Sequence, residues 1–354
     1  MTYNAHNENS NKPCCSLKCL EFKHIDKDDF AILPPFYAAQ CFKTCDYSFG
    51  VNFMWRDYNY SEYAICDNVL YIKNHDFNGK FSFFFPVCQT FAGDKNCLDT
   101  LYEQNNEYLP KNKLITALKN IENFCRENKT SVVYRSVPEK AAKFLEKFYE
   151  KDENEYEISV IKSADWYDYL YNAEDLITYS GKKFSGQRNH INKFIKTYGE
   201  YKFHPLTNEN KNIVVDFIDY FIVKAKEDGT ANKMFFFEAQ KSKEIFTYFN
   251  EIGQVGGFVT INENGKEKIV ATALGEVVRD TLFVHIEKAL KECNGAYQII
   301  AKELPKYCKE QLKMKFDYIN REEDMGIEGL RKSKLSYNPI DFLYKYTIEI
   351  KFKD

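Results

Sequence analysis

The sequence lacks any apolar run that approaches the about 20 residues of a membrane-spanning helix. We therefore expect no transmembrane segment. A secretory signal is also absent, and the eleven cysteines are odd in number and unevenly spaced. Such usage is typical of free thiols in a reducing compartment, which predicts a cytoplasmic protein without a disulfide framework.

Metal-binding spacing is missing as well. The cysteines form no CxxC pair, no histidine pair completes a zinc site, and the sequence contains no HExxH, P-loop or EF-hand pattern. We expect neither a metal ion nor a tightly bound cofactor.

The sequence also carries no strong excess of one charge. The formal net charge is −3 and the isoelectric point is near 6.2. These values argue against DNA as a partner, because generic DNA-binding proteins rely on a broad positive field. Hydrophobic residues at 44% and aromatic residues at 16% exclude a disordered chain. The length of 354 residues exceeds what one hydrophobic core usually spans, so two domains are expected.

Helix-like and strand-like patterns alternate in the same order in both halves of the chain. Each half shows helices, an antiparallel meander, a helix, a strand, a helix and a last strand. We predict an α+β fold of two tandem domains, each with a mixed, mostly antiparallel sheet flanked by helices. The predicted bounds are a disordered tail over 1–15, an N-terminal domain over 16–170 and a C-terminal domain over 171–354.

Two segments of the C-terminal half concentrate charge. Between Leu176 and Gly199 no residue is acidic. Five residues of that stretch are basic: Lys182, Lys183, Arg188, Lys193 and Lys196. The other segment, 320–339, reads NREEDMGIEGLRKSKLSYNP and holds eight charged residues between strand-like runs. So much charge on a rigid scaffold indicates a polar site.

The first segment has the pattern of a one-sided basic helix. Lys182, Asn189 and Lys193 fall on one side of the helix, opposite its apolar residues. Such a helix suits a phosphate-bearing partner, such as a tRNA acceptor end, coenzyme A or a lipid head group; the alternative is a solvated amphipathic helix. Arg188 falls toward the apolar side, where it either grips a phosphate bidentately or pairs with an internal carboxylate.

The charged segments resemble the signatures of a bacterial protein family. The run GKKFSGQRNHINKF at 181–194 is similar to its G-K-x5-R-N-x-I-N-x-F motif, and 320–339 resembles its second motif. Cys45 to Phe49 with Trp55 resembles its N-terminal motif. The family is similar to the C-terminal catalytic domain of phosphatidylglycerol lysyltransferases. Over about residues 20 to 350, the resemblance implies two tandem acetyltransferase-like domains, like the Fem-type enzymes that use aminoacyl-tRNA.

The resemblance also implies a catalytic lysine. Fem-type transferases carry a closing Gly-Leu-x-x-Phe-Lys motif whose lysine neutralises phosphate during aminoacyl transfer. The run GLRKSK that ends at Lys334 resembles this motif, with Ser333 in the place of the aromatic residue. Lys334 is therefore the predicted lysine, and Lys332 is the alternative.

The predicted site has a donor part and a catalytic part. The donor-binding residues are Lys182, Arg188, Asn189, Lys193 and Arg331. The catalytic residues are Asp324, Lys334 and Arg321. Neighbouring carboxylates raise one another's pKa, so Asp324 could act as a base on the acceptor. The alternative for Arg321 is an internal ion pair.

A strand in the meander carries two further polar residues. His285 and Glu287 alternate with Val284 and Ile286, which predicts that both face one side of the sheet. They could reach a cleft, although a histidine satisfied within the sheet is the alternative.

These features predict transfer of an acyl or aminoacyl group from aminoacyl-tRNA to an amine or hydroxyl acceptor, which could be a small molecule, a lipid or a peptide. One rival is an N-acetyltransferase that uses acetyl-coenzyme A, but the turn at 291–297 holds a single glycine where a pyrophosphate cradle needs more. The other rival is a scaffold without catalytic activity that binds RNA or protein.

Overall fold

The computed structural model describes residues 20–76, 78–88, 110–152, 154–162, 165–229 and 232–353. The predicted tail over 1–15 lies outside these residues. Strands and helices are numbered below in chain order.

The described strands form two mixed sheets. The first sheet has the order β1 (Lys23–His24), β2 (Glu62–Cys66), β3 (Val69–His75), β4 (Phe81–Phe83), β6 (Val132–Pro138), β15 (Lys345–Phe352) and β7 (Tyr156–Lys162), with β5 (Val87–Cys88) paired to β3. The second sheet has the order β14 (Asp341–Leu343), β8 (Asp168–Asn172), β13 (Tyr318–Asn320), β12 (Thr281–Ala289), β11 (Lys266–Val278), β10 (Val255–Glu263) and β9 (Tyr201–Pro205).

Helices flank both sheets. They are α1 (Pro34–Ala39), α2 (Phe49–Trp55), α3 (Pro110–Glu127), α4 (Glu139–Tyr149), α5 (Ala173–Thr178), α6 (Ser185–Tyr198), α7 (Lys211–Glu227), α8 (Lys233–Thr247), α9 (Ala296–Glu310) and α10 (Glu328–Leu335). Short 3₁₀ turns occur at Lys27–Asp29, Cys45–Tyr47, Glu150–Asp152 and Lys182–Phe184. The predicted α+β class is confirmed. None of the described helices is long and apolar enough to cross a membrane.

Local sequence explains several of these elements. In α4, Pro138 occupies the N-cap position and Ala141, Ala142, Leu145 and Tyr149 are buried at helical spacing. The hairpin between β10 and β11 turns at Asn264 and Gly265, whose φ angles of 55° and 83° are the left-handed values that a two-residue hairpin turn requires.

The last strand crosses from one sheet to the other. The alternating pattern predicts one strand over Phe342–Phe352, but the structure splits it at Tyr344. β14 pairs with β8 in the second sheet, whereas β15 lies between β6 and β7 in the first. The single-strand prediction is therefore wrong. The division of the chain into two domains at residue 170 stays a prediction. The C-terminal strand β15, which lies in the predicted second domain, belongs to the first sheet.

The two halves share an apolar core. The cluster around Phe49 and Phe53 of α2 continues to Ile245 and Phe246 of α8 and to Ile286 of β12. A second cluster fills the other face of the second sheet, beneath α5, α6 and α9. The second sheet is thus buried on both faces, so a polar group within it needs a partner.

Two neighbouring parallel strands diverge in the second sheet. β12 and β13 pair from Thr281↔Tyr318 to Phe283↔Asn320, where β13 ends while β12 continues to Ala289. We call this opening the notch. Polar side chains at its two edges can meet across it.

A bulge in β12 lies at the same level. Leu274 of β11 pairs with Ile286 and Gly275 pairs with Val284, which leaves His285 as the extra residue. A side chain on Gly275 would collide with the carbonyl oxygen of Phe283, so the bulge requires glycine there.

Candidate functional site

The segment 320–326 follows β13 and forms one edge of the notch. Its backbone is left-handed at Glu322, Met325 and Gly326, with φ angles of 59°, 50° and 73°. Left-handed backbone is unfavourable for residues with a Cβ, so contacts from the surrounding structure must hold this loop. We call it the notch loop.

The side chain of Lys334 fixes the backbone of the notch loop. Its ammonium group donates to the backbone carbonyls of Glu322 at 3.0 Å and Glu323 at 2.7 Å, and also to that of Arg321. An ammonium group has three N–H donors, and these bonds use all of them. Burial lowers the pKa of Lys334. The lysine that the motif predicts as catalytic therefore lies against backbone, and its phosphate-neutralising role stays a prediction.

Glu322 ends a buried chain of acid, histidine and acid. His285 bonds through Nδ1 to Glu322 at 2.8 Å and through Nε2 to Glu276 at 3.0 Å. Burial disfavours the charged ring, but the two carboxylates outweigh it and raise the pKa of His285 to about 9. Burial raises the pKa of Glu322, against the opposing hydrogen bond from His285. The result is an imidazolium between two acids, with a partly exposed carboxyl group at the outer end.

Arg321 faces the opposite side of the sheet. It donates through Nη2 to Glu287 at 2.6 Å, and its guanidinium lies 4.2 Å from the ring centre of Tyr337. Its Nη1 has no hydrogen-bond partner among the described residues. The internal ion pair that the sequence left open is thus formed, and the catalytic role of Arg321 stays a prediction.

The bulge separates the two polar residues of β12. His285 contacts Glu276 and Glu322, whereas Glu287 contacts Arg321. The shared face predicted from strict alternation is wrong, because the extra residue at His285 reverses the alternation after it.

Asp324 is held by several donors. It receives Arg331 Nε and Nη2 at 2.8 and 2.9 Å, the backbone N–H of Gly326 at 2.9 Å and the hydroxyl of Tyr169. The bonds from Arg331 come first among the causes that lower the pKa of Asp324 to about 2. A carboxylate of that pKa is a weak base. Arg331 also pairs with Asp165 at 2.9 Å, so it is not free to bind a donor in this arrangement.

A second buried charge cluster joins distant parts of the chain. Lys345 Nζ lies 2.6 Å from Asp46, 2.7 Å from Asp168 and 3.2 Å from both Glu323 and Cys45 Sγ. Burial raises the pKa of Asp168 to about 7, although Lys345 opposes the shift. For Glu323, the charges of Lys345 and Lys334 outweigh burial and lower the pKa to about 2.

Part of this cluster has the donors of a metal site. Cys45, Asp168 and Glu323 lie close enough to share one ion. The ammonium of Lys345 contacts all three side chains, so it supplies the positive charge that a metal ion would bring.

The predicted donor-binding helix lies on the surface. Lys182, Asn189 and Lys193 are exposed and, within the described ranges, pair with no carboxylate. Arg188 is also exposed, but its Nη1 donates to the backbone carbonyls of Tyr179 and Gly181, so its contacts hold the turn before the helix.

The start of α6 adjoins the end of α10. Gln187 donates to the carbonyl of Ser336 at 2.5 Å and Asn338 donates to that of Lys183 at 3.2 Å. Between these contacts lies Tyr337, whose ring covers Arg321. The basic surface is thus continuous with the segment that carries Lys332, which is exposed.

The turn before α9 is covered by α6. A side chain on Gly295 would come within 2.5 Å of the carbonyl oxygen of His190 and 2.8 Å of Phe194 Cβ. His190 Nδ1 also lies 2.7 Å from Asn294 Oδ1. Close packing here leaves little room for a pyrophosphate group.

An open groove lies at the other end of the β12–β13 pair. Its lining residues are Arg279, Asp280, Lys309, Met314, Lys315, Phe316 and Asp317. None of the predicted site residues lines this groove.

The structure brings Arg321, Asp324, Arg331 and Lys334 around the notch loop. It leaves Asn189 and Lys193 on the surface of α6 and Lys182 in the exposed 3₁₀ turn before it. The sequence analysis missed the partners of Lys345 and the link between His285 and Glu322. Gly275 lies opposite the bulge at His285, and it is the sequence feature that could have indicated the link between His285 and Glu322.

Comparison with known proteins places these features in a family. The sequence model of the family described as "Phosphatidylglycerol lysyltransferase, C-terminal" matches residues 41–349. An uncharacterised protein of Mycoplasmoides gallisepticum is 20% identical over 202 residues, which are 56% of this chain and 60% of that protein. The match thus spans less than two thirds of this relative's length.

Solved structures share the fold. A protein of unknown function from Bacteroides thetaiotaomicron is 28% identical with a TM-score of 0.75, over 94% of this chain and 100% of its own. The C-terminal domain of a protein assigned as a lysylphosphatidylglycerol synthetase from Agrobacterium fabrum is 10% identical with a TM-score of 0.59, over 92% of each chain. FemX is 8% identical with a TM-score of 0.55, over 93% of this chain and 97% of its own. These matches confirm the resemblance that the motifs predicted.

Proposed function

Because the chain belongs to the phosphatidylglycerol lysyltransferase C-terminal family, we propose that it transfers an aminoacyl group from aminoacyl-tRNA to an amine or hydroxyl acceptor. The observation that carries this proposal is the position of Glu322. Its side chain is partly exposed at the notch, and its Oε1 atom bonds to Nδ1 of the buried His285. An acyl transfer needs a base of this kind beside an open strand edge.

Glu322 is the general base in this proposal. Its raised pKa makes it a better proton acceptor than Asp324, and its side chain is 21% exposed whereas that of Asp324 is 1% exposed. Glu322 takes the proton of the acceptor as the acceptor attacks the ester carbonyl carbon. The C–O bond to the terminal ribose of the tRNA then breaks, and the ribose oxygen takes up a proton.

The open edge of β12 stabilises the transition state in this proposal. Among the described strands, β12 has no parallel partner after Phe283, so the backbone N–H groups that point into the notch can donate to the developing oxyanion. No diagnostic side chain is needed for this step, which agrees with the saturated contacts of Lys334 and Asp324.

The exposed lysines of α6 and of the 3₁₀ turn before it bind the donor's phosphates. Lys182, Lys193 and Lys196 lie on the surface without a carboxylate partner in the part of the chain that the structure describes. Lys332 is exposed next to the notch loop and takes the phosphate-neutralising role, since the ammonium of Lys334 is engaged by carbonyls. In this assignment Arg188, Arg331 and Lys334 are positioning residues.

Equilibrium binding tests the proposed donor. Purified protein is titrated with mixed aminoacyl-tRNA, uncharged tRNA and acetyl-coenzyme A at several salt concentrations. We expect a preference for aminoacyl-tRNA. The double variant Lys193→Ala/Lys196→Ala should weaken this binding about tenfold and reduce the dependence of log K on log salt by about 1.5.

A matched control separates this effect from general charge loss. Lys147 and Lys151 are exposed lysines at and after the end of α4 in the first half, and Lys147→Ala/Lys151→Ala should bind as the wild type does. A preference for acetyl-coenzyme A would favour an N-acetyltransferase. Binding to none of the three ligands would contradict the proposed donor and favour a scaffold.

A further inference from the structure

A group of buried polar side chains lies where the second sheet meets α1 and α2. The amide of Gln254 has no hydrogen-bond partner for either its nitrogen or its oxygen among the described residues, and the hydroxyl of Tyr37 likewise has none. Gln254 is 6% exposed and Tyr37 is 1% exposed. Buried polar atoms normally have partners, so unpaired atoms in two side chains call for an explanation.

These side chains surround His285 and Glu276. The point where a Cβ on Gly50 would lie is 2.8 Å from Gln254 Nε2 and 2.7 Å from His285 Nε2, so both groups converge there. The backbone N–H of Gly50 donates to Glu276 at 2.6 Å. The charge of Glu276 also reaches Tyr37, where it adds to burial in raising the pKa of the hydroxyl. We call Tyr37, Gln254, Glu276, His285 and Glu322 the inner polar group.

The inner polar group carries a net negative charge. Glu276 and Glu322 are acids, and the imidazolium of His285 neutralises one of them. Glu323 and Lys334 also act on Glu322, but their opposite charges offset each other. An uncompensated negative charge in a buried site favours a cationic ligand.

The available atoms include acceptors and donors. Gln254 Oε1, the oxygen of Tyr37 and the unbonded lone pairs of the two carboxylates can each receive an N–H, while Gln254 Nε2 and the Tyr37 hydroxyl can donate. The carboxylates only accept, so the group is richer in acceptors. An ammonium group offers three such donors and a positive charge, whereas a hydroxyl offers one donor, two acceptor lone pairs and no charge. The side chain of Glu322 is more exposed than those of His285 and Glu276, and Gln254 and Tyr37 are buried. Glu322 therefore marks the side from which a ligand would enter.

We infer that the inner polar group is the acceptor side of the site and that it takes a primary amine, bound as its ammonium, in preference to a hydroxyl. This inference rests on the proposed function. Glu322 removes one proton from the bound ammonium. The free amine forms the new C–N bond, the ester C–O bond to the tRNA ribose breaks, and the ribose oxygen takes the second proton that the nitrogen loses.

Calorimetric titration of the full chain with 1,4-diaminobutane and with 1,4-butanediol at pH 8 tests this inference. The two probes have the same carbon chain and differ in the charged nitrogen. We expect diaminobutane to bind at least about tenfold more tightly than the diol. Equal binding of the two probes, or binding of neither, would overturn the inference.

Variants then locate the binding site. Gln254→Leu should weaken diaminobutane binding about tenfold, while Gln240→Leu on the exposed face of α8 should leave it unchanged. Tyr37→Phe keeps the ring and removes the hydroxyl oxygen, so it should weaken binding about threefold even if Gln254→Leu fails to fold. Wild-type binding by the folded Tyr37→Phe variant, or an equal loss in Gln240→Leu, would place the amine elsewhere and overturn the inference.

The test is independent of the donor. Diaminobutane binding does not require tRNA, so failure of aminoacyl-tRNA to bind leaves the diaminobutane result interpretable and contradicts the proposed donor alone. Binding of aminoacyl-tRNA without discrimination between amine and diol would overturn the acceptor inference and leave the donor in place.

Discussion

The Oε1 atom of Glu322 lies 2.8 Å from Nδ1 of His285, and this bond joins a partly exposed carboxylate to an imidazole with no exposed surface. The bulge at His285 reverses the alternation after it, so His285 contacts Glu322 while Glu287 contacts Arg321 on the other side of the sheet. The bond between His285 and Glu322 links the bulge in β12 to the loop after β13, which are the two edges of the notch.

Lys334 should contribute to stability more than to donor binding. Lys334→Met removes an ammonium that bonds to three backbone carbonyls of the notch loop and leaves them without a donor. We expect a loss of about 2–4 kcal/mol in the free energy of unfolding, measured by urea denaturation. Lys332→Met, on the exposed side of the same helix, should change it by less than about 0.5 kcal/mol.

The converse result would restore the role that the motif predicted. If Lys334→Met unfolds at the wild-type urea concentration but binds aminoacyl-tRNA less tightly, its ammonium contacts phosphate and not the loop.

The C-terminal strand should stabilise the first sheet. Ile350 of β15 is fully buried between β6 and β7. Ile350→Ala should lower the free energy of unfolding by about 2–5 kcal/mol and speed amide exchange in β6 and β7. Ile161→Ala, at a position 59% exposed on β7, serves as the control and should have a small effect. Wild-type exchange in β6 and β7 of Ile350→Ala would contradict the crossing of the last strand.

Asp168 should make stability depend on pH near neutrality. Its pKa is raised to about 7 in the folded chain from about 4 in an unfolded one. The folded state therefore binds this proton more tightly, and the stability it adds at low pH is lost as the pH rises from about 4 to 7. Glu323 has the opposite shift, to about 2, so its contribution is lost only as the pH falls below about 4.

The difference in the free energy of unfolding between wild type and Asp168→Asn isolates the contribution of Asp168. The asparagine keeps an oxygen that can accept the N–H of Cys45 but does not titrate. The unfolding free energy of the wild type, relative to that of the variant, should fall between about pH 4 and 7. Parallel curves for the two proteins across that range would show that Asp168 keeps an ordinary pKa.

The local sequence predicted helices and strands well where their apolar residues recur with a clear period and where turn or capping residues mark their ends. The sequence pattern predicts a helix over Glu139–Tyr149 and strands over Tyr201–Pro205 and Thr281–Ala289, and the structure has these bounds. The helix Phe49–Trp55 was missed, because its seven residues give too short a pattern. Nothing local marks Tyr344 as the point where the chain changes sheets.

The polar site was predictable only in part. The motifs identified the notch loop and α10, but the contacts of Lys334, Asp324 and Arg331 depend on a fold that brings Tyr169 and Asp165 beside them. The partners of Lys345 lie at positions 46, 168 and 323, and no spacing rule connects residues so far apart in the sequence.

The rate of aminoacyl transfer by Glu322→Gln, measured in a single turnover against pH, tests the central claim most directly. The variant should bind aminoacyl-tRNA as the wild type does, transfer about 100-fold or more slowly, and lose the rise in rate with pH that the raised pKa of Glu322 gives the wild type. Glu328→Gln, an exposed acid at the start of α10, should behave as the wild type. A Glu322→Gln variant that transfers at the wild-type rate with the same pH dependence would contradict the account.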